Sequence, residues 1–128
     1  MLAAGTYLVP TLSALLNIVE NKDRGVPAYA VEKSLRIEDR HQESIKMFYE
    51  AGGKIAMGTD AGTPYNLHGA NAKELRFMTD IGISNLDALK FSTSNAADLL
   101  TLNKRGRIQK NCFADFLIFD GNPLENIL

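Results

Sequence analysis

The chain has 128 residues, 45% of them hydrophobic and 23% charged, a composition ordinary for a globular domain with a real core. Its 14 basic and 15 acidic residues leave a net charge of −1, which gives no electrostatic case for nucleic acid or an anionic membrane as partner. The single cysteine, Cys112, excludes an intrachain disulfide and fits a reducing compartment, so a cytoplasmic location is expected.

The first ten residues, Met1 to Pro10, lack the basic start of a signal peptide, and Gly5 and Pro10 interrupt their apolar run. No stretch reaches the roughly 20 apolar residues of a membrane helix. Tyr7 to Leu12 reads as a short strand, with Pro10 placed where a missing N–H does no harm. Ser13 to Glu20 mixes helical and consecutive apolar spacing and predicts loop plus a short helix. Asn21 to Pro27, with Gly25 and Pro27, predicts a surface loop.

One or two helices are predicted from Ala28 to Ala51, with Ile37, His41, Ile45 and Phe48 forming an apolar stripe at i, i+4, i+8 and i+11. Gly52-Gly53 supplies the backbone freedom of a helix end, and a strand from Lys54 to Met57 follows at once. This tight connection is the joint of a βαβ-type, α/β fold.

That strand ends abruptly in Gly58-Thr59-Asp60 and then in the loop Ala61-Gly62-Thr63-Pro64, with His68-Gly69 a few residues on. A buried strand that delivers one carboxylate to its C-terminal mouth is how α/β enzymes place their chemistry. Asn71 to Ile81 predicts a helix with Leu75, Met78 and Ile81 on one face. Ser84 caps a second helix, with Asp87 in a capping-box position, and Thr93 or Ser94 caps a third. The tail, from Gly106 to Asp120, loses the helical period and predicts turn, strand, turn, strand, ended by Gly121-Asn122-Pro123.

Taken in order, Val9-Pro10-Thr11-Leu12, the run from Ala51 to Pro64, His68-Gly69, Glu74-Leu75, Ala88-Leu89, Thr93 to Ala97, Gly106-Arg107-Ile108, Ala114-Asp115-Phe116 and Asn122-Pro123-Leu124 resemble the C-terminal part of a metal-dependent amidohydrolase. The branch resembled is that of imidazolonepropionase-like and Xaa-Pro dipeptidase-like (prolidase-type) enzymes. The resemblance implies the last part of a (β/α)8 TIM-type barrel, with Tyr7–Leu12 and Lys54–Met57 as its seventh and eighth strands. Residues 1–103 would be partial barrel, and 104–128 the C-terminal strands of a small β-sandwich.

The chemistry so implied is hydrolysis of an amide or peptide bond in a small peptide-like or cyclic amide substrate, by water activated on one or two divalent ions, usually zinc. Asp60 matches the aspartate that contacts metal and serves as general base, and His68, in the same loop, is placed for substrate contact. The remaining ligands of such a site, a His-x-His pair, a mid-barrel lysine or glutamate and two further histidines, have no counterpart among the two histidines here. A catalytic zinc site needs three protein ligands. The chain is therefore expected to be an inactive C-terminal portion, with Met1 an internal methionine, a misassigned start or an artificial boundary.

Other chemistry-bearing residues have plainer readings. His41 lies on the apolar stripe and is expected to be structural; Cys112 opens an apolar strand and is expected to pack as a small hydrophobe. Asn103 to Arg107 reads as a solvated turn, and Gly58 to Gly62 lacks the Lys and Ser/Thr of a phosphate-binding loop. The rival to an enzyme portion is a non-catalytic α/β association module. A barrel cut before its seventh strand exposes strand edges and apolar helix faces, and would form homo-oligomers or pair with a complementing N-terminal half.

Overall fold

A computed structural model describes residues 1–127; Leu128, the last residue of the tail segment 104–128, lies outside the described residues. After a 3-10 turn at Leu2–Ala4 come β1 (Tyr7–Leu8), α1 (Leu12–Glu20), α2 (Ala28–Glu50), β2 (Lys54–Ile55), α3 (Lys73–Asp80), α4 (Asn85–Ser92) and α5 (Ser94–Leu99). β1 and β2 pair in parallel, Tyr7 opposite Lys54 and Leu8 opposite Ile55. The crossover between them is the α1–α2 pair, so this is an α/β fold with its helices laid on a very small sheet.

Both strands are shorter than their sequence runs. Leu12 belongs to α1 and not to the first strand, because Thr11 turns into the left-handed region at φ 46° and ends the extended run. β2 stops at Ile55, but its hydrogen bonding continues: the Ala56 amide donates to Leu8 O at 3.0 Å and the Met57 amide to Phe91 O at 2.9 Å. On the edge facing away from β1, Ile55 O accepts from the Asn95 side-chain amide at 2.8 Å.

Leu12, Ile45, Ile55, Phe77, Met78, Ile81, Ile83, Ala88 and Phe91 form the core, with Leu8, Leu16, Phe48 and Tyr49 packed at its margin. α1 lies against both α2 and α3, and α4 joins α3 to α5. α2 is one helix of 23 residues whose buried arc runs through Ser34, Ile45 and the half-buried His41, Phe48 and Tyr49. Ile37 falls at the rim of that arc and is 49% exposed, a departure from the stripe expected of the sequence. On α3 the inward face is Glu74, Phe77, Met78 and then Ile81, with Leu75 only half-buried.

The helix caps follow sequence chemistry unevenly. Ser84 caps α4: the Asp87 amide donates to Ser84 Oγ at 3.1 Å, and the Ser84 hydroxyl donates to Asp87 Oδ2 at 2.8 Å. Tyr49 on α2 donates to the same carboxylate oxygen at 2.8 Å, and its hydroxyl is the main cause holding the Asp87 carboxyl below the usual carboxylate range. Tyr49 also meets Phe91 edge-on, with ring centroids 6.1 Å apart. Thr93 stands at the N-cap of α5 but makes no side-chain cap; its hydroxyl donates to Leu89 O instead.

The tail corrects an expectation. No strand forms between 106 and 120, and Phe116, Leu117, Ile118 and Phe119 are 64%, 79%, 88% and 58% exposed. A strand needs a neighbour to receive its N–H and C=O groups, and this segment lies beside helices rather than beside β1 or β2. It is tied instead by side chains. Arg107 pairs with Asp98 at 2.6 Å, Arg105 pairs with Asp115 and lies over the Phe113 ring, and the Asn85 amide donates to Leu124 O. Cys112 is half-buried. Among the described residues no helix is long and apolar enough to cross a membrane.

Gly58, the residue that opens the loop after β2, has a close neighbour. A methyl group built there would stand 2.4 Å from Val9 Cγ1, so the two strand ends meet through a residue without a side chain. Gly58→Ala is expected to destabilise the fold by about 1–3 kcal/mol, read by urea denaturation. Val9→Ala in the same chain should recover most of that loss; no recovery would mean that the strain lies in the backbone and not in this contact.

Candidate functional site

The two parallel strands end side by side, and each is followed by a residue other than glycine in the left-handed region: Thr11 at φ 46° after β1 and Asp60 at φ 54° after β2. Such conformations cost about 1–3 kcal/mol and persist where the surroundings over-determine them. A β-branched residue such as Thr11 is the costlier case, whereas aspartate tolerates this region better than most. Both corners are held by a buried polar side chain supplied from the chain that follows β2.

At the first corner the holder is Glu74, which is 0% exposed. Its Oε1 accepts from the Leu12 amide at 2.8 Å, and its Oε2 accepts from the Ser13 amide at 2.7 Å and the Ser13 hydroxyl at 2.6 Å. These are the first amides of α1, which lack partners within the helix, and the carboxylate also lies at the positive end of the helix dipole. Burial pushes the Glu74 carboxyl above its ordinary value, against the opposing pull of the Ser13 hydroxyl and the Ser13 and Leu12 amides.

At the second corner the holder is Asn66, 3% exposed. Its side-chain nitrogen donates to Thr59 O at 2.5 Å and Asp60 O at 3.0 Å, while its Oδ1 accepts from Asn17 Nδ2 on α1 at 3.3 Å. Two carbonyl acceptors require the amide nitrogen on that side, which assigns the orientation of the Asn66 side chain. Its own backbone closes the loop, with the Gly62 amide donating to Asn66 O at 2.8 Å and the Asn66 amide to Thr63 O at 3.0 Å. The Thr63 hydroxyl adds a second bond to Asp60 O, at 3.2 Å. At a net 0.5–1.5 kcal/mol or so for each bond, the clamp on Thr59 and Asp60 is about as large as the backbone cost it offsets.

The Asp60 carboxylate itself is exposed and makes no hydrogen bond or ion pair among the described residues. Its main chain is locked and its oxygens are left open. His68, on the same loop, is exposed, and its Nε2 lies against Gly62, 3.4 Å from where a Cβ on that glycine would stand. Tyr65, at φ 62°, reaches across to donate its hydroxyl to Arg24 O, joining this loop to the α1–α2 connection. His41 is remote from the loop, half-buried on α2, with Nδ1 unpartnered among the described residues.

Glu74 and Asn66 are not singled out as site residues by the sequence reading. The signal for Glu74 is legible in retrospect: with Phe77, Met78 and Ile81 it occupies i, i+3, i+4 and i+7, a carboxylate in a core position. Asn66 has no such signal, because an asparagine after Thr-Pro-Tyr reads as a turn residue whatever its side chain does. Among the described residues no group of three or more His, Cys, Asp and Glu side chains comes together. The donor set at the strand mouth is therefore one open carboxylate: suited to serve as one ligand of a divalent ion, and insufficient to hold a catalytic ion by itself.

Known proteins resemble this chain over nearly its whole length. The pattern of the "Amidohydrolase family" matches residues 1–128. The crystal structure of a Xaa-Pro dipeptidase with methionine bound in its active site is 34% identical and superposes with a TM-score of 0.85, over 98% of this chain and 31% of the other. A prolidase complexed with N-methylphosphonate-L-proline is 29% identical, with a TM-score of 0.83 over 98% of this chain and 30% of that one. The ochratoxinase of Aspergillus niger is 28% identical over 96% of this chain and 25% of its own length. The chain thus spans about a quarter of the curated relatives it matches and under a third of these solved structures.

The buried carboxylate generates a test. Glu74→Ala leaves two amides and a hydroxyl at the start of α1 without their partner, and a loss of about 3 kcal/mol or more in urea unfolding is expected. Because the folded protein binds the Glu74 proton more tightly than the unfolded chain does, this group's contribution is fully present below the ordinary value of 4.5 and declines as pH rises through the raised value. Glu74→Gln should abolish that part of the pH dependence; an unchanged profile would exclude Glu74 as its source.

Proposed function

Because this chain belongs to the amidohydrolase family, we propose that it is the C-terminal part of a metal-dependent hydrolase of carbon–nitrogen bonds, with Asp60 as metal contact and general base. The observation that carries the reading is the contrast at Asp60, whose carbonyl is held by Asn66 and Thr63 while its carboxylate is exposed at the strand mouth. A side chain presented in this way is free to serve a ligand or a reacting group, since it is not committed to the packing beneath it. In this reading β1 and β2 are the seventh and eighth strands of a (β/α)8 barrel, residues 1–103 are its partial catalytic domain, and 104–128 belong to a composite β-sandwich.

Asp60 would supply one carboxylate oxygen to a divalent ion, zinc in the first instance, and the other ligands would come from polypeptide beyond these residues. Such an ion, when bound, would lower the pKa of the attacking water to near neutrality and polarise the amide carbonyl. The Asp60 carboxylate accepts a proton at its free oxygen and returns it to the departing amine, so the leaving group departs neutral. The left-handed corner directs that oxygen, and the Asn66 clamp spares the site a rearrangement during reaction. His68 is proposed to contact substrate, with an imidazole able to donate to a carboxylate or a carbonyl.

The substrate class is small and peptide-like or a cyclic amide, with Xaa-Pro dipeptides tested first on the strength of the 34% identical dipeptidase. A second reading, association through unpartnered surface, is favoured by the tail: Phe116 to Phe119 stand exposed beside α4 and α5. In that reading the chain forms a homo-oligomer or pairs with a complementing N-terminal half, and size-exclusion chromatography separates a closed monomer from either.

The main test compares the 128-residue chain with an upstream-extended polypeptide for metal content and methionyl-proline hydrolysis. The extended form is expected to hold zinc and turn over, Asp60→Asn to lower its kcat by about 100-fold or more, and the short chain to do neither. Stoichiometric metal with turnover by the short chain alone would overturn the partial-site reading. Full activity in Asp60→Asn would overturn the role of Asp60.

A further inference from the structure

We propose that Asn66 is the positioning residue of this site: it fixes the Thr59–Asp60 corner through two carbonyl oxygens and thereby sets where the Asp60 carboxylate stands. This rests on the reading of Asp60 given above. The geometry is specific. One buried amide nitrogen reaches two successive carbonyls, Thr59 O at 2.5 Å and Asp60 O at 3.0 Å, on either side of the residue whose φ is 54°. Rotation of that corner back to the common right-handed or extended regions swings the Asp60 side chain to another direction and breaks at least one of these bonds.

The clamp is anchored below as well as above. Asn66 Oδ1 accepts from Asn17, which is 2% exposed on α1, so the orientation of the loop after β2 is referred to the helix that follows β1. The Asn17 carbonyl in turn accepts from both the backbone and side-chain amides of Asn21, at 3.2 Å and 2.8 Å. The Asn66 amide is oriented by its own three contacts: turning it around would set its oxygen against two carbonyls and its nitrogen against the Asn17 amide nitrogen. A purely structural asparagine would satisfy loop carbonyls generally; this one satisfies the two that flank the open carboxylate.

Asparagine is also the residue type the task requires. Aspartate has the same shape but at neutral pH is acceptor-only, and would place a negative charge against two carbonyl oxygens. Alanine removes the clamp without adding charge. Serine reaches less far, and glutamine needs an extra methylene inside a closed turn.

The experiment uses the extended polypeptide with Asn66→Ala, Asn66→Asp, Asp60→Asn and, as a stability control remote in role, Ser84→Ala. It reads kcat and KM on methionyl-proline, thermal midpoints, and the visible absorption of the cobalt(II)-loaded proteins. Asn66→Ala is expected to lower kcat about 10-fold or more with KM within about 3-fold. Asn66→Asp should lose at least as much, and both variants should show an altered cobalt spectrum. Ser84→Ala should lower the thermal midpoint and leave kcat and the spectrum alone.

A large loss in Asp60→Asn with wild-type kcat and spectrum in Asn66→Ala would overturn the role of Asn66 and leave that of Asp60 standing. Losses in Asn66→Ala that merely track its thermal midpoint, as judged against Ser84→Ala, would overturn it too. An Asp60→Asn protein with full activity or an unshifted spectrum would remove the reading on which the role depends. If methionyl-proline is not a substrate, the cobalt spectra of the Asn66 and Asp60 variants decide alone.

Discussion

A carboxylate with no exposed surface joins the two halves of this chain. Glu74 lies 62 residues from Leu12 in sequence, yet takes the first two amides of α1 and the hydroxyl between them. Without it, α1 would start with buried unpartnered N–H groups directly after a β-branched residue in a costly conformation. Through Glu74 the start of α1 is pinned to α3, and the bases of both strand-end loops become one rigid piece. Removing the acceptor from three buried donors costs more than the net value of making the bonds, which is why the arrangement depends on it.

Asn66 does the same work on the other loop with neutral groups and a smaller energy. The two holders follow β2 within 20 residues, so one segment of chain secures the mouths of both strands. The side chains that face outward from these loops, Asp60 and His68 among them, take no part in either clamp. That division, backbone held and outward side chains uncommitted, is what a site assembled from several polypeptide segments needs from each contributor.

The legibility of the sequence varies with the kind of force involved. The long helix, the Gly52-Gly53 joint, the Ser84 cap and the strand before Asp60 are local features, written in periodicity and in turn chemistry, and they stand where the pattern places them. Strand lengths were less legible: β1 and β2 stop at Leu8 and Ile55, and Leu12 falls to α1 beyond the left-handed Thr11, where Glu74 takes the next two amides. Ile37 shows the limit of a stripe: apolar spacing says which face turns inward and not how far along a 23-residue helix the neighbours extend. The tail shows the limit of apolar runs, for Phe113 to Asp120 has the composition of a strand without another strand beside it. The surrounding motif draws attention to Asp60; nothing draws it to Glu74 or Asn66, because a hydrogen bond across the fold leaves no mark at short range.

The bonds on the outer edge of β2 bear on how this chain meets other chains. Ile55 O and the Met57 amide point away from β1 and are already occupied by Asn95 and by Phe91 O. A two-stranded sheet ordinarily offers two borders to any passing extended segment, and uncontrolled growth along such borders is a route to fibres. Here the corner between α4 and α5 occupies one border, so a strand added beside β2, as closure of a barrel requires, has to displace the Asn95 side chain and the Phe91 carbonyl from it. An asparagine on a helix thus holds the place of a strand.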